Sequence, residues 1–185
     1  MICNRLKVRG LPYNVVCSAL KKRESLAAFW GENGFNRGVE VGVNRGKFSE
    51  CLCLNNPNIE LYSIDPWATG GRNRRQERIY WKAKKKLRPY NVTVLRKTSM
   101  DALADFEDES LDFAYIDGDH TFDYAAPDII FWSRKLRSGG MMGVHDYGRH
   151  NIGVRDAVDA YTFNNNICPW YVTYEIIPTA FWVKP

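Results

Sequence analysis

The chain lacks a long apolar run, paired cysteines, internal repeats and a strong charge bias, and each absence removes a class of protein. No stretch approaches the roughly 18 consecutive apolar residues that a membrane helix needs. The apolar stretch after Arg5, Lys7 and Arg9 is broken by Pro12 and Asn14 and is too short for a secretory leader. A protein in solution is expected. The five cysteines, Cys3, Cys17, Cys51, Cys53 and Cys168, show no C-x-x-C spacing, which argues against a zinc site and for a reducing, cytoplasmic setting. Cys51 and Cys53, two apart on a helix, point to different faces and read as packing residues. Lys and Arg number 26 against 21 Asp and Glu, a formal charge of +5. That is far from the dense basic arrays of nucleic-acid binders, although it suits an anionic ligand.

What is present is a globular composition. Hydrophobic residues at 45% and charged residues at 25% exclude disorder and disulfide scaffolds. A length of 185 residues allows one sizeable core. We divide the chain into an N-terminal helical extension, 1–35, and a single domain, 36–185. In the extension, 20–30 reads as a helix, and its Lys21-Lys22-Arg23 run as a solvated face.

From Gly38 onward, short β-type runs alternate with helical stretches. Strands are expected over 39–43, 59–64, 92–95, 111–116 and 141–145. Helices are expected over 47–54, 74–87, 100–106, 122–136 and 154–163, with Ser138-Gly139-Gly140 stopping the fourth. Runs 170–177 and 179–183 are split only by Pro178 and should pair as an antiparallel hairpin. Repeated β-α units imply an α/β fold, a mostly parallel sheet with helices on both faces.

In such a sheet ligands settle beyond the carboxyl ends of the strands, so chemistry is expected in those loops. After the first strand, Gly42 and Gly46 allow backbone to approach a ligand, or merely permit the turn. Asp65 closes the second strand at the distance expected of an acid that accepts from a ribose diol; an Asp-Pro turn is the alternative. In the third loop, Lys97-Thr98-Ser99-Met100-Asp101, Ser99 reads equally as an adenine contact or a helix N-cap. The fourth loop, Tyr115-Ile116-Asp117-Gly118-Asp119-His120, crowds two carboxylates and an imidazole at a strand end where packing does not ask for them. Catalysis is the expected use.

These residues carry a resemblance. Val39-Glu40-Val41-Gly42-Val43-Asn44-Arg45-Gly46, Ile64-Asp65-Pro66-Trp67, the Asp117 to His120 loop, and Gly139-Gly140 to His145-Asp146-Tyr147 resemble class I S-adenosylmethionine-dependent methyltransferases. The match spans most of 36–185 and is closest to the small-molecule O-methyltransferase branch of catechol and macrolide-sugar type. The resemblance implies a Rossmann-like three-layer sandwich with a seven-stranded sheet whose last strand is antiparallel. It implies that S-adenosylmethionine is held by Glu40, Gly42 and Gly46 at its methionine end and by Asp65 at the ribose hydroxyls, with Asn44, Pro66 and Trp67 among the cofactor-binding residues. Ser99 and Asp117 complete that set. It further implies a divalent cation such as Mg2+ on Asp117 and Asp146. The chain departs from the pattern at Tyr147, which replaces an amide ligand, so that His145 or Asp119 would have to complete the shell. It departs again at His120, which stands where catechol-type enzymes carry a lysine base.

His120 is accordingly the expected general base, oriented by Asp119 or Asp117, for methyl transfer to a small-molecule hydroxyl. Arg72, Arg74 and Arg75 suggest an anionic acceptor. Two other functions share parts of this pattern. A nicotinamide-dependent oxidoreductase would use the same ribose acid, but the G-x-G-x-x-G fingerprint is missing. A non-catalytic nucleic-acid binder would use Arg72, Arg74, Arg75, Arg78, Lys82, Lys84, Lys85, Lys86 and Arg88 with Tyr80 and Trp81, yet these charges ring one helix and read better as a solvated surface. No membrane contact is expected, and an oligomer is compatible with the sequence.

Overall fold

Eight strands form one sheet among the residues that the computed structural model describes, 15–17, 20–67, 73–148 and 150–185. They are β1 (Val15–Cys17), β2 (Arg37–Val41), β3 (Glu60–Ile64), β4 (Val92–Leu95), β5 (Leu111–Ile116), β6 (Leu136–Val144), β7 (Trp170–Val172) and β8 (Ala180–Val183). Their spatial order is β1-β7-β8-β6-β5-β2-β3-β4. β8 runs antiparallel to β6 and β7, and every other pairing is parallel. The helices are α1 (Arg23–Glu32), α2 (Lys47–Asn55), α3 (Arg74–Leu87), α4 (Ser99–Ala102), α5 (Phe122–Lys135) and α6 (Ile152–Asn164).

Alternation along β5 shows how the sequence builds three layers. Ala114 and Ile116 join the core under α5 and α6, with Ile129, Trp132, Val154 and Val158. Phe113 and Tyr115 face the other way, into the core of α1 and α2 with Leu26, Trp30, Phe48 and Leu52. Trp30 stacks on Phe113 at 4.4 Å between ring centroids. β2 supplies the pivot. From it the chain steps outward through β3 and β4, and then returns to its other side as β5 and β6, so the order reverses between β2 and β5. A crevice opens there, beyond the strands' carboxyl ends.

The Rossmann-like sandwich with its antiparallel last strand is therefore as expected, with three corrections. The sheet has eight strands rather than seven, because Val15–Cys17, in the extension expected to be helical, pairs in parallel along β7. Two β-branched residues beside an otherwise open sheet edge account for this addition. Secondly, Gly139 and Gly140 do not stop α5. The helix ends at Lys135 and β6 begins at once, with the glycines inside a register shift opposite Leu111 and Phe113. Gly139 has φ +74°, and a Cβ on Gly140 would lie 2.9 Å from the carbonyls of Arg137 and Asp112, so the irregular strand requires both. Thirdly, Lys21 and Lys22 are exposed as expected, but Arg23 turns inward to the crevice.

Residues 1–14, with Arg5, Lys7 and Arg9, lie outside the described residues, as does Arg72 in the loop before α3. No helix among the described residues is long and apolar enough to cross a membrane.

Candidate functional site

The crevice is a cleft of about 1120 Å³. Its floor is made where two loops touch. Gly42, at φ +91°, donates its N–H to the Ile64 carbonyl at 2.9 Å, while Asp117 N–H bonds the Val41 carbonyl at 2.7 Å. A Cβ on Gly42 would sit 2.0 Å from the Asp117 carbonyl oxygen. Only glycine lets the loops after β2 and β5 meet, so the turn is more than locally permissive. Gly46 does different work. It is the left-handed residue ahead of α2, backed by the Leu87 side chain, and it does not line the cleft.

Asp65 braces the rim. One carboxylate oxygen accepts from Asn44 N–H at 2.8 Å and the other from Trp67 N–H at 2.7 Å. Trp67, itself buried, returns its indole N–H to the Asn44 carbonyl at 2.9 Å. The Asp-Pro turn and the open lone pairs of an acceptor therefore coexist in one residue, because each carboxylate oxygen has capacity beyond the single bond it accepts here. Glu40, Gly42, Asn44, Asp65, Pro66, Trp67, Ser99 and Asp117 all line the cleft. Glu40 is nearly fully buried, and burial pushes its carboxyl up to about 8 against the opposing hydrogen bond from Ser49.

At the β5 and β6 ends three groups converge. One ligand atom each from Asp117, His120 and Asp146 lie within 4.8 Å of one another. His120 Nε2 is 3.0 Å from Asp146 Oδ2, so Asp146 rather than Asp119 holds the imidazole. Asp119 is turned away into a bond with Thr121, accepting from its N–H at 2.8 Å and its hydroxyl at 2.7 Å. His145 bridges the two acids, with Nδ1 2.9 Å from Asp146 and 3.4 Å from Asp117. Burial pulls its pKa down, but the bonds to Asp117 and Asp146 outweigh this and raise it to about 9. The group whose ligand atoms converge is Asp117, His120 and Asp146, with His145 bonded to both acids from the side. The Asp117, His120 and Asp146 donor set fits a hard or borderline divalent cation. Tyr147 leaves the site entirely; its hydroxyl donates to Asp159 at 2.8 Å and its ring packs on Trp170.

Three further residues enter the site unannounced by the motifs. Arg23 on α1 lies over the Phe48 ring and bonds Asp117 Oδ2 at 3.1 Å. Asn151 donates to Asp146 Oδ1 at 2.9 Å, on the acid whose neighbour Tyr147 lacks the amide. Asp128 on α5 accepts from the Ser99 hydroxyl. Ser99 is not the N-cap of α4, a role held by Thr98, which accepts from Asp101 N–H at 3.1 Å. A detectable trace existed only for Asp128, an acid set among Ala125, Ile129 and Trp132 on the buried stripe of its helix.

Arg45, Lys47 and Arg75 line the same cleft, and none is in an ion pair with a described residue. Farther along α3, Lys86 is tied to Glu50 at 2.6 Å.

Residues 39–147 match the family described as a methyltransferase domain. An uncharacterized protein of Sinorhizobium fredii, y4gI, is 30% identical over 126 residues, 63% of this chain; the chain spans only 14% of that relative's length. Among solved structures, an O-methyltransferase from Bacillus cereus in complex with SAH is similar with a TM-score of 0.66 at 14% identity, covering 87% of this chain and 80% of that one. TomG, an O-methyltransferase from Streptomyces achromogenes in complex with SAM, is similar with a TM-score of 0.66 at 15% identity, covering 95% and 84%. At such identities the likeness is one of fold.

Proposed function

This chain belongs to the methyltransferase-domain family, and from that premise we propose that it transfers the methyl group of S-adenosylmethionine to a hydroxyl of a small molecule. The observation that carries the reading is the Asp65 rim, an acid whose two oxygens are pinned by Asn44 and Trp67 at the mouth of a glycine-floored cleft. Pinned this way, Asp65 presents its remaining lone pairs to a ribose diol without further ordering. The catalytic unit is residues 36–185, with the 1–35 extension contributing Arg23 to its site.

The sulfonium supplies an electrophilic methyl group, and its displacement requires an acceptor oxygen held in line with water excluded. His120 takes the hydroxyl proton through Nδ1, the ring nitrogen left open by the bond from Nε2 to Asp146. Asp146 holds the ring and stabilises the imidazolium that forms. Arg23 and His145 offset the charge of Asp117 and Asp146, and against the effect of burial the bond from His145 holds the Asp146 carboxyl below its ordinary range. Were a divalent cation held instead by Asp117, His120 and Asp146, His120 would be a ligand rather than the base, and the cation would acidify the acceptor hydroxyl.

Arg45, Lys47 and Arg75 favour an acceptor with a carboxylate or phosphate. Arg75→Ala should then raise KM for anionic acceptors and spare neutral ones; equal rates for both classes before and after the change would remove this preference. The main proposal is tested by calorimetric titration with S-adenosylmethionine and, separately, NAD, each with and without Mg2+. Heat at one equivalent of S-adenosylmethionine and none with NAD is expected. No heat with S-adenosylmethionine overturns it.

A further inference from the structure

Ser99 cannot both keep its observed partners and read a base edge by donation. Its one hydroxyl proton goes to Asp128 Oδ1, and one of its lone pairs takes the Trp132 indole N–H at 2.8 Å. The free capacity lies on its partner. Asp128 is only 5% exposed, it lines the cleft, and its second oxygen, Oδ2, has no protein donor among the described residues. That oxygen lies beside Gly118, where an added Cβ would stand 3.6 Å from it, and both residues line the cleft. α5 packs over β5 and β6, and its Asp128 is joined to the loop after β4 through the Ser99 hydroxyl.

An unpartnered carboxylate oxygen on a buried side chain that lines a ligand cleft, with Ser99 and Trp132 fixing the rest of the group, accepts hydrogen bonds and rejects other acceptors. Resting on the function proposed above, we infer that Asp128 Oδ2 accepts from the exocyclic 6-amino group of the cofactor's adenine, and so selects an adenine over a 6-oxo purine. With the ribose at Asp65 on the β3 tip, the base falls between the loops that carry Ser99 and Gly118, which border Asp128. Ser99 is then a positioning residue, acting through Asp128, and Asp128 determines cofactor specificity. Its raised pKa, about 6 through burial opposed by the Ser99 bond, leaves it largely ionised at neutral pH.

The test is equilibrium binding of S-adenosylhomocysteine and its 6-oxo analogue, S-inosylhomocysteine, to the wild-type chain and to Asp128→Asn. The variant keeps an oxygen for the Ser99 proton and turns its NH2 toward the cleft, reversing the polarity there alone. The wild type should prefer the adenosyl ligand at least tenfold, and Asp128→Asn should bring that ratio to one or below. An unchanged ratio in the variant, or no preference in the wild type, overturns the inference while leaving the methyltransferase reading intact. Binding of neither ligand by the wild type would instead sink that reading, and the inference with it. Should the variant not fold, the wild type decides alone with the N6,N6-dimethyl analogue, which has no donor at position 6. Loss of tenfold or more in affinity supports the assignment, and equal affinity overturns it.

Discussion

A single buried acid sets one pH dependence of this molecule. Burial holds Glu40 at about 8 against an ordinary 4.5, so between those values the native chain keeps a proton that the unfolded chain releases. Its contribution to stability is complete below 4.5 and declines as pH rises through the window, by an amount on the order of a few kcal/mol. Glu40→Gln removes the titrating group at nearly the same shape. Urea midpoints measured from acid to mildly alkaline pH should fall more steeply for the wild type than for the variant; parallel curves would show that Glu40 is ionised in the fold. At this scale the site was legible where a charged residue stands at a strand tip, since packing has no use for one there. Asp65, Asp117 and His120 stand out this way, whereas Glu40, inside β2, enters only through the family resemblance. Pairings between elements were not legible. That His120 leans on Asp146 and not on its neighbour Asp119 depends on the approach of the β6 end to the β5 loop, and Asp119 is diverted by Thr121.

At the scale of the element, α1 joins stability to the site. Leu26, Ala27 and Trp30 bury one face of the helix on the sheet, and Arg23 at its first turn reaches Asp117. Trp30→Ala should cost about 3–5 kcal/mol by opening a cavity over Phe113. A loss well under that range in denaturant unfolding would mean that α1 is loosely attached. The strands were the most legible elements. Val92–Leu95 and Leu111–Ile116 have the bounds expected from β-branched and aromatic runs; for Leu111–Ile116 the cores on both faces demand a nearly continuous apolar sequence, while Val92–Leu95, at the sheet edge with no fully buried residue, follows β-branched propensity. β6 was misjudged at its start for a physical reason: Ser138-Gly139-Gly140 has the composition of a helix stop, yet the same glycines permit a bulged strand, and only the partner β5 decides between them. Arg23 was misread because a basic run is ordinarily solvated, and two of its three residues are.

Taken whole, the molecule places its ionisable chemistry along one edge of the sheet. The reversal of strand order between β2 and β5 opens the cleft, Gly42 lets the two loops close its floor, and α1 and α5 reach in from opposite faces with Arg23 and Asp128. The β-α alternation alone predicted that edge, whereas the reach of the flanking helices is a property of packing that no local pattern encodes. The most direct test is a crystal structure of the chain with S-adenosylhomocysteine bound. The ribose hydroxyls should lie within hydrogen-bond distance of the Asp65 carboxylate, with the sulfur beside Asp117. A nucleoside seated elsewhere, or an Asp65 that turns from the sugar, would contradict the account.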